Sequence, residues 1–322
     1  MGKIKHSVEE LIGNTPLIEI DSFEKNREIN AHILLKLEFN NPLGSMKDRV
    51  ANAMIDDLEK KGRIKPGDYL VECSSGNTAI ALAAIGGKRG YKVRIYIGGV
   101  SEERIKILKA FGAEIVDIFA DEAFGAEIQK TGSAVQAITN LLAREEAETG
   151  KHFEFTKQGN NFSNPEIHSS TTGPEIWEQT DGKVDVLIGG VGSGGSIRGL
   201  SDYFRSKNPD FKSYAFNPTE DSGEAIQGVH RFTALPEGDM PTNINTVPYD
   251  EIVEINKDEA FRTVNAIARE EGLLVGITTG AGIYIAAELA KKPEYSGKNI
   301  IVLAVDDGVK YLSTDLFDDQ YR

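Results

Sequence analysis

The chain has 322 residues, 40% of them hydrophobic, a net charge of −14 and a single cysteine, Cys73. The length suggests two domains or one large α/β unit with a full core, the acidic balance argues against a nucleic-acid partner, and one cysteine excludes an intramolecular disulfide and suits a reducing compartment. The stretch Met1-Gly2-Lys3-Ile4-Lys5-His6 has no apolar segment of the kind a signal peptide carries, and no run reaches the ~18 apolar residues of a membrane span, so a cytoplasmic protein without a membrane partner is expected. The five histidines are scattered and none pairs with another at helical spacing, so no metal site is expected.

Taken in order, the chain opens with the turn Leu11-Ile12-Gly13-Asn14-Thr15-Pro16 and a short strand at 17–20. An apolar run, Ile33 to Leu37, leads into Asn41-Pro42-Leu43-Gly44-Ser45-Met46-Lys47-Asp48-Arg49. Val50, Met54 and Leu58 then mark one face of a helix that stops at Gly62. Tyr69 to Cys73 reads as a strand running into Ser74-Ser75-Gly76-Asn77-Thr78. The helix after it, from Ala79, is expected to stop at Gly86-Gly87. A strand at 93–97 precedes a helix capped by Ser101, with Ile105, Leu108 and Phe111 expected on its buried face. After a strand at 113–118 and a polar, helix-rich stretch at 119–152, a second series begins near Phe153. It has a helix over about 165–180 and a strand at 184–188, then a glycine turn and a helix to about Ser206. Residues 217–248 read as long ordered loops. Asn256 and Glu259 form a capping box for a helix over 257–271 ended by Gly272. A further helix opens at Thr278-Thr279-Gly280-Ala281, and the last strand spans 299–305. Strands alternating with helices of this length mean βαβ units and a mainly parallel sheet.

Three features could carry chemistry. Lys47 falls in the first turn of a helix, where the helix dipole disfavours a cation. The neutral amine favoured there is the form that condenses with a carbonyl. The turn 74–78 combines small hydroxyl residues with a helix N-terminus, a receptor for a carboxylate or phosphate. The turn Gly189-Gly190-Val191-Gly192-Ser193-Gly194-Gly195-Ser196 follows an apolar strand and lets backbone amides approach a phosphate. Its G-x-G-x-x-G spacing alone would admit a dinucleotide oxidoreductase. The next strand, however, ends in Asn217-Pro218 and lacks the acidic residue that would hold a ribose, so a monophosphate suits the turn better.

A lysine trap, a carboxylate receptor and a monophosphate cup together suggest pyridoxal phosphate (PLP) and an amino acid. At these stretches the sequence resembles the family of cysteine synthases and cystathionine β-synthases, PLP enzymes of fold type II. The resemblance also covers Asn164-Pro165-Glu166-Ile167-His168, Thr172-Gly173-Pro174-Glu175-Ile176-Trp177 and Gly272-Leu273-Leu274-Val275-Gly276-Ile277, in the family's order along the chain. It implies an α/β fold like the tryptophan synthase β subunit, with two three-layer αβα domains and mainly parallel sheets. Residues 1–12 and 36–155 would form a smaller, mobile domain with Lys47 and the carboxylate loop. Residues 13–35 and 156–322 would form a larger domain with the phosphate loop.

The resemblance further implies that Lys47 holds PLP covalently and acts as the base. Asn77 would bond the PLP ring hydroxyl, Gly192, Ser193, Gly194, Gly195 and Ser196 the phosphate, and Thr278 would face the pyridine nitrogen. Ser74, Ser75, Thr78 and Gln158 would grip the substrate carboxylate. The implied reaction is a ping-pong β-replacement on a serine-type amino acid, with sulfide or a thiol as second substrate, in a homodimer. Cysteine synthesis from O-acetylserine and sulfide leads. A cystathionine- or lanthionine-forming enzyme that releases hydrogen sulfide from cysteine stays open, as does a complex with the C-terminal tail of a serine acetyltransferase. Departures from the family pattern fall at Ala79, Gly159 and Asn217, and at His230 and Arg231 in a segment where small residues are usual. The last two are candidate substrate-selecting residues at the entrance, and Gly159, where phenylalanine is usual, is expected to leave a roomier site.

Overall fold

A computed structural model of the chain describes residues 4–321 apart from 75, 100–101, 220–225, 232–234, 236–239 and 246–248. In chain order the first elements are strand β1 (Leu17–Glu19), helix α1 (Asp21–Lys25), β2 (His32–Lys36), α2 (Lys47–Lys60), β3 (Tyr69–Cys73), α3 (Asn77–Lys88), β4 (Lys92–Ile97), α4 (Glu102–Ala110) and β5 (Glu114–Asp117). Then come α5 (Glu122–Thr131), α6 (Ala134–Thr149), β6 (Phe153–Phe155), α7 (Ser163–Ile167), a π-helical turn at His168–Thr172, α8 (Gly173–Gln179), β7 (Val186–Gly190), α9 (Gly195–Lys207) and β8 (Lys212–Pro218). The last are β9 (Glu251–Ile255), α10 (Lys257–Glu270), α11 (Ile277–Ala290) and β10 (Asn299–Leu303). Strands alternating with helices produce mainly parallel sheets, as the spacing of the apolar runs implies.

The chain divides into two compact units. The smaller comprises Met1–Ile12, Lys47–Asn164 and Leu235–Thr242, the larger Gly13–Met46, Pro165–Ala234 and Asn243–Arg322. The division expected from sequence differs in placing 36–46 with the smaller unit and 156–164 and 235–242 with the larger. Hydrogen bonds explain the first difference: beyond β2 the chain stays on the larger unit's sheet, with Phe39 N–H on the Ala304 carbonyl at 3.2 Å and Met46 N–H on that of Val305 at 3.0 Å.

The smaller unit holds a four-stranded parallel sheet in the order β5-β4-β3-β6. Its core includes Val71, Tyr96, Phe124, Ile138 and Phe153 on one side, with α2 and α3 packed together. Helix α3 does not stop at Gly86-Gly87 but runs through them to Lys88. A Cβ on Gly86 would stand 2.9 Å from Leu70 Cδ1 and 3.1 Å from Val93 Cγ2, so this glycine lets the helix lie close against β3 and β4. In α4 the buried residues are Arg104 and Leu108, while Phe111 stays 41% exposed, against the expected apolar face. Its expected cap, Ser101, lies outside the described residues.

The larger unit holds a six-stranded sheet in the order β1-β2-β10-β7-β8-β9, parallel except for β1 against β2. Helix α11 is apolar nearly all round and correspondingly buried, and α10 opens with the expected Asn256–Glu259 capping box. Under the segment that leads to Lys47 lies a buried polar network. The fully buried Lys36 ammonium donates to the Thr15 carbonyl at 2.6 Å and to Gln179 Oε1 at 3.0 Å, and pairs with Glu175 at 2.8 Å. The Thr15 hydroxyl donates to Glu38 at 2.6 Å, and Asn41 bridges Glu38 and the Gly13 amide. Breaking one partner of such a buried set leaves an uncompensated charge, so residues 13–17 and 36–41 are held as one piece. Of the expected loops at 217–248, a large part lies outside the described residues. Among the described residues no helix is long and apolar enough to cross a membrane.

Candidate active site

In the smaller unit the candidate residues gather around the C-terminal end of β3. Lys47 is the first residue of α2. Lys47 is half-buried, and desolvation by the protein atoms around it lowers its pKa from 10.5 to about 8. The charge of Glu72 opposes that shift. Both the burial and the helix start favour the neutral amine.

The strand β3 ends at Cys73, and α3 starts at Asn77 with Gly76 as its cap. The first bond of this helix is Ile80 N–H to the Gly76 carbonyl at 3.4 Å, so the amides of residues 77–79 lie ahead of the intrahelical ladder. The Ser74 hydroxyl accepts the Gly76 amide at 3.3 Å, shaping the turn, and Thr78 donates its hydroxyl to Gln158 Oε1 at 2.7 Å. Ser74, Asn77, Thr78 and Gln158 are thus assembled in one place, while Ser75 lies outside the described residues. Gly159 does not open a void: a Cβ there would stand 3.2 Å from Pro241 Cβ, so the proline ring occupies the space expected to be empty.

In the larger unit, β7 ends in Gly189-Gly190 and α9 begins at Gly195. Gly194 has φ +74°, the left-handed conformation that glycine adopts without penalty. A Cβ on it would lie 2.1 Å from Ile244 Cγ2, and one on Gly192 would lie 2.3 Å from the Gly228 carbonyl oxygen. Asn243 ties the turn down by donating to the Ser193 carbonyl at 3.2 Å. The first bond of α9 runs from Arg198 N–H to the Gly194 carbonyl at 3.1 Å, so the amides of Gly195, Ser196 and Ile197 precede its ladder. Tightly packed glycines that admit no side chain, opening into a helix N-terminus, have the form of a cradle that can take an anion. Thr278 is the second residue of α11 and donates to the Gln227 carbonyl at 3.3 Å.

His230 and Arg231 follow the Ile226–Val229 turn, whose end is held by His230 N–H on the Val191 carbonyl at 2.9 Å. The His230 side chain is exposed in part, but desolvation still keeps its pKa below the usual value. The Arg231 guanidinium donates to the Thr219 carbonyl at 2.6 Å and to Glu254 at 3.1 Å. These bonds fasten the segment to the residue after β8 and to β9.

Sequence reasoning missed Glu72, Asn243 and Pro241. Glu72 sits in a run that reads as a plain buried strand, and the other two lie in a stretch with no periodic signal. A charged residue inside the apolar run Tyr69-Leu70-Val71-Glu72-Cys73 was the one available hint.

The residues fit PLP: a half-buried lysine with a lowered pKa can take an aldehyde, and the glycine cradle can take a monophosphate. A model of the family described as pyridoxal-phosphate dependent enzymes matches residues 8–307. Cysteine synthase A of Escherichia coli (strain K12) is 39% identical over 332 residues, covering 100% of this chain and 98% of that protein. Among solved structures, cysteine synthase from Entamoeba histolytica aligns with a TM-score of 0.84 at 33% identity, over 98% of this chain and 91% of that one. A hydrogen sulfide-producing enzyme from Fusobacterium nucleatum aligns with a TM-score of 0.82 at 32% identity, over 97% and 99%. With both sheets built as described and the match running through nearly all of the sequence, the chain belongs to the pyridoxal-phosphate dependent enzymes, in their fold-type II branch.

Proposed function

We propose that the chain is a cysteine synthase, which replaces the acetoxy group of O-acetyl-L-serine by sulfide to give L-cysteine and acetate. The observation that carries this reading is Lys47: an amine at a helix start, with a pKa brought down to about 8, in a chain 39% identical along its whole length to a cysteine synthase. When bound, PLP supplies an electron sink for the charge left at the substrate α-carbon. The protein's own part is then to bind, orient and move one proton. Lys47 would hold the cofactor, and its free Nζ would accept the α-proton, a role that requires the neutral amine. Asn77 orients the ring through its hydroxyl. The amides of the turn Gly192-Ser193-Gly194-Gly195-Ser196 take the phosphate. Thr278 would face the pyridine nitrogen with a hydroxyl, a partner that does not hold a proton there as a carboxylate would, and such a partner would favour β-elimination over transamination. Ser74, Ser75, Thr78 and Gln158 bind the substrate carboxylate at the start of α3.

Sulfide and an amino acid are the substrates this reading requires, in a reducing, cytoplasmic setting that a lone cysteine suits. The working unit is a homodimer, and the C-terminal tail of a serine acetyltransferase is a partner that competes with substrate. A second reading uses serine or cysteine with a thiol amino acid and releases hydrogen sulfide from cysteine. It is favoured by His230, a bulky polar ring at a position where small residues are usual in cysteine synthases. The test is cysteine formation by the purified, PLP-loaded protein from O-acetylserine and sulfide, beside sulfide release from cysteine with homocysteine. Faster turnover of the second pair would overturn the cysteine synthase reading. A colourless protein that takes up no PLP would overturn both.

A further inference from the structure

Glu72 is 2% exposed, in the interior of the smaller unit. Strands β3 and β6 run parallel, pairing Tyr69, Leu70 and Val71 with Phe153, Glu154 and Phe155. The ladder ends one step later, where Thr156 N–H bonds the Val71 carbonyl at 2.9 Å. The chain then turns away at Lys157, a non-glycine residue held at φ +48°. At that point the Glu72 side chain takes over from the ladder. Its Oε2 accepts the Gln158 amide at 3.0 Å and the Thr156 hydroxyl at 2.6 Å, and its Oε1 accepts the Cys73 amide at 2.9 Å. Burial pushes the carboxyl pKa up, opposed by these three donors and by the Lys47 ammonium. Gln158, so anchored, reaches back to Thr78 through the 2.7 Å bond between their side chains, and its carbonyl accepts from Asn164 Nδ2 at 2.9 Å.

We propose that Glu72 is a positioning residue for the amino-acid substrate: it anchors the Gln158 amide across the end of the β3–β6 ladder and so sets the Gln158–Thr78 pair that receives the substrate carboxylate. The inference rests on the carboxylate-binding role given to Thr78 and Gln158 above. A shorter or uncharged side chain at position 72 leaves the part-buried Gln158 amide without its acceptor. The turn at Lys157 then loses its Glu72 tie to the end of β3, keeping bonds within 156–164 such as Asn160 N–H on the Lys157 carbonyl and Asn164 Nδ2 on that of Gln158. The charge matters as well as the shape. Glutamine in place of Glu72 presents one NH2 group, and in either orientation that group meets a backbone N–H, that of Cys73 or that of Gln158.

The experiment compares the PLP-loaded parent with Glu72→Gln and Thr156→Val. Three quantities are read: kcat/KM for O-acetylserine and separately for sulfide, hydrogen exchange at the Gln158 amide, and Tm. In Glu72→Gln, kcat/KM for O-acetylserine should fall about tenfold or more, mainly through KM, while the value for sulfide, which has no carboxylate, changes far less. Exchange at the Gln158 amide should quicken. Thr156→Val keeps the charge and removes one donor, so it should move the same two quantities in the same direction by less. If Glu72→Gln does not fold, Thr156→Val decides: a raised KM for O-acetylserine supports the assignment and an unchanged KM overturns it. Faster exchange with an unchanged KM, or equal losses for both substrates, reduces Glu72 to a structural residue and overturns the proposal. A parent that turns over no O-acetylserine overturns the cysteine synthase reading instead. Glu72 is then judged by the dissociation constant of whichever amino acid changes the parent's PLP absorbance, with the same expected rise and the same overturning result.

Discussion

Replacing Gly192 by alanine tests the proposed phosphate cradle at its least forgiving point. The new Cβ would lie 2.3 Å from the Gly228 carbonyl oxygen, about 1 Å inside ordinary contact. Gly192 is not in the left-handed region, so the substitution adds a clash and no dihedral strain. The obstacle is backbone, which cannot swing aside as a side chain can, and overpacking of this kind costs about 1–3 kcal/mol. The part of that cost relieved in the free protein and reimposed on PLP binding appears as a Kd raised about fivefold to 150-fold. The part present in both states appears as a lower Tm. Equilibrium dialysis with PLP and thermal melting of the cofactor-free protein separate the two. Gly228→Ala is the control, because Gly228 has φ +85° but nothing within 4 Å of its would-be Cβ. That variant pays only backbone strain, about 1–2 kcal/mol, and should melt earlier while binding PLP far better than Gly192→Ala. A Gly192→Ala protein with the parent's Kd and the parent's Tm would refute the packing argument and, with it, the assignment of this turn to the phosphate.

Three further outcomes are expected. In the PLP-free protein, labelling of Lys47 by an amine-reactive reagent should rise with pH through a midpoint near 8, because the base is neutral only above its pKa; a midpoint near 10 would contradict the desolvated amine. Burial holds the Glu24 carboxyl up at about 7, against the usual 4.5, despite the Ile33 amide at 2.5 Å. A raised acid pKa gives stability that is complete below pH 4.5 and lost as pH rises through 7, a loss of about 3 kcal/mol. Glu24→Gln should therefore gain up to about that much in urea unfolding at pH 8 and nothing at pH 4, and an equal effect at both would contradict the linkage. Gly86→Ala should destabilise the protein by about 1–3 kcal/mol in spite of better helix propensity, since its Cβ meets Leu70 and Val93; a raised Tm would count against the close packing of α3.

The alternation of strands and helices was readable because both periods are strong in this chain, and the family stretches lie where those elements change over. The capping box at Asn256 and Glu259 was readable for the same reason: it is a local pattern with a local structural result. What sequence could not supply was anything set by distant packing. Gly86 looks like a helix stop until the neighbouring strands are known to need its missing side chain. Phe111 fits the helical apolar pattern yet falls just past the end of α4 and stays partly exposed, while Arg104 within α4 is buried. The Lys36 network depends on residues from 13 to 179, and no local rule foretells a fully buried lysine inside a strand. At the site, the expected glycines, hydroxyls and lysine were legible by residue type. Pro241 against Gly159 and Glu72 beneath Gln158 were not, because each acts through a partner some 80 residues away.

The order of strands in the larger sheet bears on how the protein is made. β2 lies between β1 and β10, and β10 is synthesised about 260 residues after β2. At about 5–20 residues per second, the ribosome needs roughly 13–50 s to supply that partner. Throughout that interval Ile33 and Leu35, both fully buried in the finished protein, belong to a strand that has only β1 on one side and an open edge on the other. The strands of the smaller sheet, by contrast, have all emerged by Phe155, so that sheet can close while the larger one still waits. Nascent chains should thus pass through a stage with one sheet formed and an apolar strand open along one edge at the N-terminal side. The larger core completes only when nearly the last strand leaves the exit tunnel, so chains shortened before Asn299 should be prone to pairing through β2 with one another.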